Sequence, residues 1–96
     1  MNSLGQKIRD LRERKGVLLR QLAAFAEVDT ALISKLERGE RKATREQVLK
    51  IAEFLEIEQN ELIKLWLADK VADSIEGESN SVEVLKYVLK QLEKKG

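Results

Sequence analysis

Residues 18–39, LLRQLAAFAEVDTALISKLERG, decide the fold. In the first part of this stretch, Leu18, Leu22 and Phe25 recur at helical spacing. They predict a helix over about 18–25 with these three side chains on its inner face. The next four letters, AEVD, are too few for anything but a tight turn. A new element must therefore begin almost at once.

The second part of the stretch predicts another short helix, over about 30–37. Asp29 is placed to cap its start, Ile33 and Leu36 form its buried face, and Gly39 supplies a stop signal. Two packed helices joined by so short a turn form a helix-turn-helix. That arrangement allows the second helix to lie in the major groove of DNA while the first crosses the backbone.

Helical periodicity and capping residues extend the prediction to the rest of the chain. The segment EGESNS, residues 76–81, is the one stretch that resembles a linker. We therefore predict an all-α DNA-binding domain over 1–75, then a linker and a C-terminal helix over 76–96. The four further helices cover about 4–15, 45–55, 59–75 and 82–94, with capping pairs Ser3/Gln6, Thr44/Gln47 and Asn80/Glu83.

The composition narrows the classes of function. The 96 residues contain no cysteine and no histidine, so thiol nucleophiles, Cys/His metal sites and histidine acid–base chemistry are absent. We expect no enzyme activity, no metal, no cofactor and no small-molecule substrate. No apolar run approaches the length of a membrane span, and the N-terminus is not a signal peptide, which favours a cytoplasmic protein without a membrane partner.

The net charge of +1 conceals an asymmetry between the two halves of the chain. Residues 1–45 hold eleven Lys/Arg against six Asp/Glu, whereas residues 46–96 hold seven against eleven. A polyanion would dock on the basic half and avoid the acidic one. Charge this dense is also common on a merely solvated surface, so the asymmetry alone does not decide for DNA.

Three segments together resemble the Cro/C1-type (Xre) helix-turn-helix family of bacterial and phage regulators. They are GQKIRDLRERKG (5–16), QLAAFAEVDTALISKLERGERKAT (21–44) and VLKIAEFLEI (48–57). The order ISKLERGER is the most specific part, and the resemblance covers about residues 4–65. It implies a five-helix, lambda-repressor-like bundle, here with an additional C-terminal helix, that binds a palindromic operator in double-stranded DNA as a homodimer.

The resemblance also implies roles for individual residues. Base edges would meet Thr30, Ala31, Ser34 and Lys35, of which Lys35 is the strongest candidate because a lysine can donate to guanine O6 or N7. Glu37 would pair with Arg12 and fix the second helix to the first helix of the bundle. Phosphates would be contacted, with little sequence information, by Arg20, Gln21, Arg38, Arg41, Lys42 and Arg45.

The chain departs from the family pattern at three places. Leu18-Leu19 stands where relatives often have Thr-Gln, so either Arg20, Gln21 or the helix N-terminus supplies the phosphate contact, or that contact is lost. Glu27 stands where the turn usually carries glycine, which costs about 1 kcal/mol if the backbone there is left-handed. Ala43 replaces a common proline after the basic loop.

Two readings remain open for the apolar residues of the last two helices. One amphipathic helix needs a single buried stripe, yet the helix over 59–75 carries apolar residues on two sides. Either the final helix covers it within one chain, or the helix over 59–75, the final helix or both form a dimer interface, and we favour the dimer. The predicted interface residues are Leu65, Trp66, Val71, Ile75, Leu85, Val88, Leu89 and Leu92.

The predicted function is sequence-specific DNA binding by a homodimeric transcriptional regulator. Small stand-alone members of this class include phage repressors, antitoxins and restriction–modification controller proteins, and the chain resembles the controllers in its compactness. The alternative is an antitoxin-like module that acts by binding a protein through its acidic C-terminal helices.

Overall fold

The computed structural model describes residues 1–95, which form six α-helices and no β-strand. The all-α prediction is confirmed, and each helix begins and ends within one residue of its predicted bounds. Within the described residues, no helix is long and apolar enough to cross a membrane. The helices are α1 Ser3–Arg14, α2 Leu19–Ala26, α3 Thr30–Arg38, α4 Arg45–Phe54, α5 Gln59–Ser74 and α6 Ser81–Lys95.

Helices α1 to α5 pack around one hydrophobic core. Helix α3 rests on α1 and α2, while α5 closes the other side of the bundle against α1 and α4. The burial of these apolar side chains is the main stabilising contribution to the fold. The seven largest fully buried side chains are Ile8, Leu22, Ile33, Val48, Ile51, Leu55 and Leu62.

The inner face of α2 differs from the prediction. Leu22 is buried as expected, but Leu18 and Phe25 are 46% and 39% exposed, and Ala23 and Ala26 take their place in contact with the core. Phe25 lies at the edge of the core, where its ring packs against that of Phe54 with centroids 5.0 Å apart. Small alanines let α2 approach its neighbours closely, so the larger side chains are displaced to the rim.

The start of α1 is capped by a residue far away in the sequence. Asp69 of α5 accepts hydrogen bonds from the backbone N–H groups of Ser3 at 3.0 Å and Leu4 at 2.9 Å. The helix begins one residue earlier than a Ser3 cap would require, with Asn2 as N-cap. The predicted Ser3/Gln6 capping box is therefore wrong, because a carboxylate from α5 satisfies the free N–H groups instead.

The capping box predicted at the start of α4 is confirmed. Thr44 Oγ1 accepts from the backbone N–H of Gln47 at 3.2 Å, and Gln47 Oε1 accepts from the backbone N–H of Thr44 at 3.0 Å. This reciprocal pair fixes the point at which the loop over residues 40–44 enters α4.

Helix α6 is the one helix of residues 1–95 that buries none of its residues. Leu89 and Leu92 on its apolar face are 56% and 62% exposed. Its contacts with the other helices are too few to shield that face. In this structure α6 therefore leaves its apolar face uncovered, and the covering of α5 by α6 within one chain is not seen.

Candidate nucleic-acid interface

Helix α3 presents a short polar face to solvent. Its apolar side is anchored by Ile33 and Leu36, which are 1% and 4% exposed. On the opposite side Thr30, Ala31 and Lys35 are exposed. Three of the four residues predicted to meet base edges are thus accessible on one helix. Thr30 and Ala31 are small, which permits the start of the helix to approach a flat or grooved surface closely.

The turn between α2 and α3 requires a left-handed residue, and that residue is Glu27. Its backbone has φ 59° and ψ 43°, and the following N–H, that of Val28, bonds to the carbonyl of Ala23 at 3.0 Å. This is the helix-ending geometry that glycine normally adopts. The turn therefore keeps its conformation at a cost of about 1–2 kcal/mol for a residue with a Cβ.

A buried ion pair fixes α3 to α1. Arg12 Nε donates to Glu37 Oε2 at 2.7 Å, and a second guanidinium nitrogen donates to Glu37 Oε1 at 3.1 Å. A third bond runs from Arg12 to the carbonyl of Val17 at 3.0 Å, so the same side chain holds the connection to α2. The two side chains are 14% and 5% exposed. The hydrogen bond to Glu37 is the main reason that the pKa of Arg12 lies above its ordinary value.

The C-terminal end of α3 approaches the backbone of α1 closely because α1 has a glycine there. A Cβ built on Gly5 would lie 2.4 Å from the carbonyl oxygen of Leu36 and 2.7 Å from that of Glu37. Asn2 adds a hydrogen bond from its side-chain nitrogen to the carbonyl of Glu37 at 2.9 Å. Together with the ion pair, these contacts define the orientation of α3 on the bundle.

The loop over residues 40–44 carries cations beside this end of α3. Arg41 and Lys42 are exposed, and neither forms an ion pair within residues 1–95. The loop is held from beneath by Trp66, whose Nε1 donates to the carbonyl of Ala43 at 2.8 Å. The guanidinium of Arg45 lies 5.1 Å from the centroid of the same ring.

Trp66, like Asp69, has a role that was not predicted from the sequence. It was predicted in the dimer interface, but it is only 8% exposed and belongs to the chain's own core. Lys70 Nζ lies 3.7 Å from its ring centroid, so the indole has cations close by from two helices. Such contacts contribute about 0.5–1 kcal/mol at exposed sites. The sequence gives one sign of this arrangement: Lys70 follows Trp66 by four residues on α5, which places the cation beside the ring.

Arg38 is already engaged within the chain. Its guanidinium pairs with the carboxylate of Glu40 and also donates to Ser34 Oγ. The hydrogen bond from Arg38 lowers the pKa of Glu40, and the charge of Lys35 acts in the same direction. Ser34 is half-buried in this arrangement. Two predicted DNA contacts, Ser34 and Arg38, therefore have an intramolecular partner that a nucleic acid would have to displace.

The start of α2 has Leu18 and Leu19 in place of a polar Thr-Gln pair, but Arg20 and Gln21 still provide hydrogen-bond donors there. Leu19 packs on the core, and Leu18 is exposed. Gln21 Oε1 accepts from the backbone N–H of Leu18 at 2.8 Å, which leaves the amide NH2 of Gln21 to donate. Arg20 is exposed beside it. Both residues predicted to replace the missing contact are thus at the N-terminal end of α2.

A family model described as a helix-turn-helix domain matches residues 3–65, about two thirds of the chain. The chain belongs to the helix-turn-helix family. Its helix-turn-helix motif comprises α2, the turn at Glu27 and α3. Helices α1, α4 and α5 are the elements that hold this motif.

The helix-turn-helix domain is similar to proteins named as regulators. The HTH-type transcriptional repressor RghR of Bacillus subtilis (strain 168) is 38% identical over 58 residues, which are 59% of this chain and 43% of that protein. The restriction-modification controller protein C.AhdI from Aeromonas hydrophila is 36% identical, with a TM-score of 0.60 over 64% of this chain and 92% of that one. The clp gene regulator ClgR from Corynebacterium glutamicum is 26% identical, with a TM-score of 0.63 over 94% and 89%.

These comparisons confirm the predicted fold class, a Cro/C1-type helix-turn-helix bundle with an additional helix. The chain matches less than half the length of RghR, so the similarity to that protein concerns the helix-turn-helix domain and no more.

The residues predicted at a dimer interface differ in how far they are exposed. Leu65 is half-buried against the core, and Ile75, the residue after α5, is also half-buried, whereas Val71 is 49% exposed. The four predicted residues of α6 are all exposed. Apart from Trp66 and the half-buried Leu65 and Ile75, the predicted residues thus lie where a second molecule can reach them.

Proposed function

We propose that this chain binds a specific sequence in double-stranded DNA and regulates transcription, with α3 in the major groove. The observation that carries the proposal is the exposed face of α3, with Thr30, Ala31 and Lys35 on a helix fixed by the buried Arg12–Glu37 pair. A helix that reads bases must be held rigidly, because side chains as short as those of Thr30 and Ala31 reach a base only when the helix backbone is correctly placed. The regulators to which the chain is similar support this reading.

In this arrangement each exposed residue has a distinct role. Lys35 donates to guanine O6 or N7, Thr30 contributes a hydroxyl or methyl contact, and Ala31 packs on a thymine methyl group. Ser34 joins them once Arg38 leaves its hydroxyl. Lys35 is the residue that distinguishes sequences most strongly, since Arg38, the other exposed cation of α3, is paired with Glu40.

Phosphate contacts flank the reading helix on two sides. Arg41, Lys42 and Arg45 belong to loop 40–44 and the start of α4, and Trp66 supports that loop from the core. Arg20 and the amide of Gln21 lie at the start of α2, where the first backbone N–H groups of a helix also attract anions. Such contacts supply affinity and salt dependence but little sequence information.

A homodimer completes the proposal. Few base contacts per chain make a weak reader, whereas two copies read two half-sites about one helical turn apart and multiply their discrimination. A palindromic operator follows from the two-fold symmetry of such a dimer. The exposed apolar faces of α5 and α6 provide the surface for it, through Val71, Leu85, Val88, Leu89 and Leu92.

Two variants test the roles of α3 and loop 40–44 against each other. Lys35→Ala is expected to lose about 1–3 kcal/mol at the preferred site and little on random duplex DNA. Arg41→Ala is expected to weaken binding to all sequences and to reduce the slope of log K against log salt by about 1. Fluorescence anisotropy at several salt concentrations measures both effects.

The matched control is Lys64→Ala, which removes an exposed cation on α5, outside α2, α3 and loop 40–44. It should leave affinity and salt slope unchanged. If Lys35→Ala and Arg41→Ala lost affinity equally for preferred and random DNA, Lys35 would not be a reading residue. If the wild-type chain bound no duplex DNA at low salt, the proposed function itself would be refuted.

The exposed apolar face of α6 also favours a second function, that of an antitoxin-like module. In that case the face would bind a different protein, such as a toxin encoded beside this chain. A defined second chain that co-purifies in fixed ratio and is released by Leu89→Lys would support it. A homodimer that binds DNA without such a partner would contradict it.

A further inference from the structure

The apolar stripe of α6 has an arrangement that reads the same from both ends. Val82, Leu85, Leu89 and Leu92 are spaced by three, four and three residues, which is the seam spacing of a two-helix coiled coil. All four are exposed, and the two at the ends, Val82 and Leu92, are 63% and 62% exposed. A second copy of α6 laid alongside in the reverse direction meets the stripe in register.

In that antiparallel pairing each apolar residue has an apolar partner. Val82 of one chain faces Leu92 of the other, and Leu85 faces Leu89. Each of these two contacts occurs twice, because a two-fold axis relates the two helices. An isologous contact of this kind closes on itself and produces a dimer rather than a filament. The stripe is thus complementary to a copy of itself.

The charges at the ends of α6 favour the antiparallel direction over the parallel one. The entry to the helix is acidic, with Glu78 before it and Glu83 in its first turn, and the last turn holds Lys94 and Lys95. An antiparallel copy brings the acidic end of one helix to the basic end of the other and opposes the two helix dipoles. A parallel copy would place the glutamates of the two helices together at one end and the lysines together at the other.

We propose that α6 pairs with α6 of a second copy of this chain, antiparallel, through Val82, Leu85, Leu89 and Leu92. This deepens the homodimer of the proposed function and rests on it. A single pair of short helices buries less area than the about 1,200–2,000 Å² of a stable interface. The proposed interface therefore also includes the exposed Val71 of α5.

Disulfide cross-linking distinguishes the two directions in a chain whose sequence contains no cysteine. Val82→Cys and Leu92→Cys are prepared separately, then oxidised mildly alone and as a mixture. The antiparallel pair predicts a covalent dimer in the mixture and little in either single sample. A disulfide forms only when the Cβ atoms lie about 3.5–4.5 Å apart. Leu85→Cys mixed with Leu89→Cys repeats the test in the middle of the helix.

Glu53→Cys, an exposed position on α4, measures cross-linking by random collision. Leu89→Lys provides the non-covalent test and is expected to shift the mass in sedimentation equilibrium from two chains to one. Self-cross-linking of each single variant would overturn the proposal in favour of a parallel pair. The proposal would be overturned in favour of another occupant of this face if the wild-type chain sedimented as a monomer and the mixed cysteine variants cross-linked no more than Glu53→Cys.

The cross-linking is performed without DNA, so its outcome is independent of the reading helix. A mixed disulfide in a chain that binds no duplex would sustain the helix pairing and refute the proposed function. Specific DNA binding by a chain that fails to cross-link in the mixture would sustain the function and refute the helix pairing.

Discussion

The ion pair between Arg12 and Glu37 allows a quantitative prediction about stability. Arg12→Met keeps an apolar stem of similar length but removes both hydrogen bonds to the Glu37 carboxylate, at 2.7 and 3.1 Å. The carboxylate is then left 5% exposed without its partner. Two charge-assisted bonds at about 1.5–3 kcal/mol each agree with the 3–5 kcal/mol expected for breaking a buried pair on one side.

The expected loss is a large part of the roughly 5–15 kcal/mol that stabilises a domain of ordinary size. A loss of about 3–5 kcal/mol corresponds to a decrease in Tm of about 12–40 °C, at about 4–8 °C per kcal/mol. Urea unfolding followed by circular dichroism at 222 nm measures the change. All variants are compared at one protein concentration, because a dimer makes the apparent stability depend on it.

Two further variants separate the pair from its surroundings. Arg9→Met on the same helix removes an exposed pair with Glu13, whose side chains are 61% and 56% exposed, and should cost less than about 1 kcal/mol. The double variant Arg12→Met with Glu37→Leu leaves no unpaired charge, so it should recover most of the loss. A loss below about 1 kcal/mol in Arg12→Met would refute the reasoning. So would a double variant that is as unstable as the single one.

The remaining predictions concern three other positions. Gly5→Ala should cost about 1–3 kcal/mol in urea unfolding, because its Cβ would lie 2.4 Å from a carbonyl oxygen of α3; an unchanged midpoint would exclude the close approach. Glu27→Gly should raise stability by up to about 1 kcal/mol, since φ is 59° there, and Glu27→Ala should give no such gain. The pKa of Glu40 should lie below its ordinary value in an NMR titration. The pair with Arg38 should be lost as pH falls through that lowered pKa. Arg38→Ala should return the pKa of Glu40 towards its ordinary value. Glu40→Gln should tighten binding to all duplexes, because Arg38 is released to phosphate; weaker binding would mean that Glu40 positions Arg38 usefully.

The helices and the local contacts could be predicted from the sequence because their signals are local. Apolar residues recur at helical spacing, and the Thr44–Gln47 box depends only on residues three apart. The Arg12–Glu37 pair joins distant positions, and only the family resemblance indicated it before the structure located both side chains. Resemblance thus supplied what periodicity could not.

Contacts between distant elements account for most of what the sequence could not predict. Asp69 caps α1 across 65 and 66 positions, and nothing near Ser3 indicates it. Trp66 falls on an apolar stripe of α5 whether that stripe faces the core or a partner, so periodicity alone could not assign it to Ala43. The pairing of Arg38 with Glu40 depends on how the chain turns after Gly39, whose φ is 76°.

The central claim is that two copies of α3 read one palindromic site. The most direct measurement is selection of binding sites from random duplex DNA, with the mass of the recovered complex determined alongside. The account predicts one enriched palindrome, with half-sites about one helical turn apart, bound by two chains. Recovery of no enriched sequence, or of a single half-site bound by one chain, would contradict it.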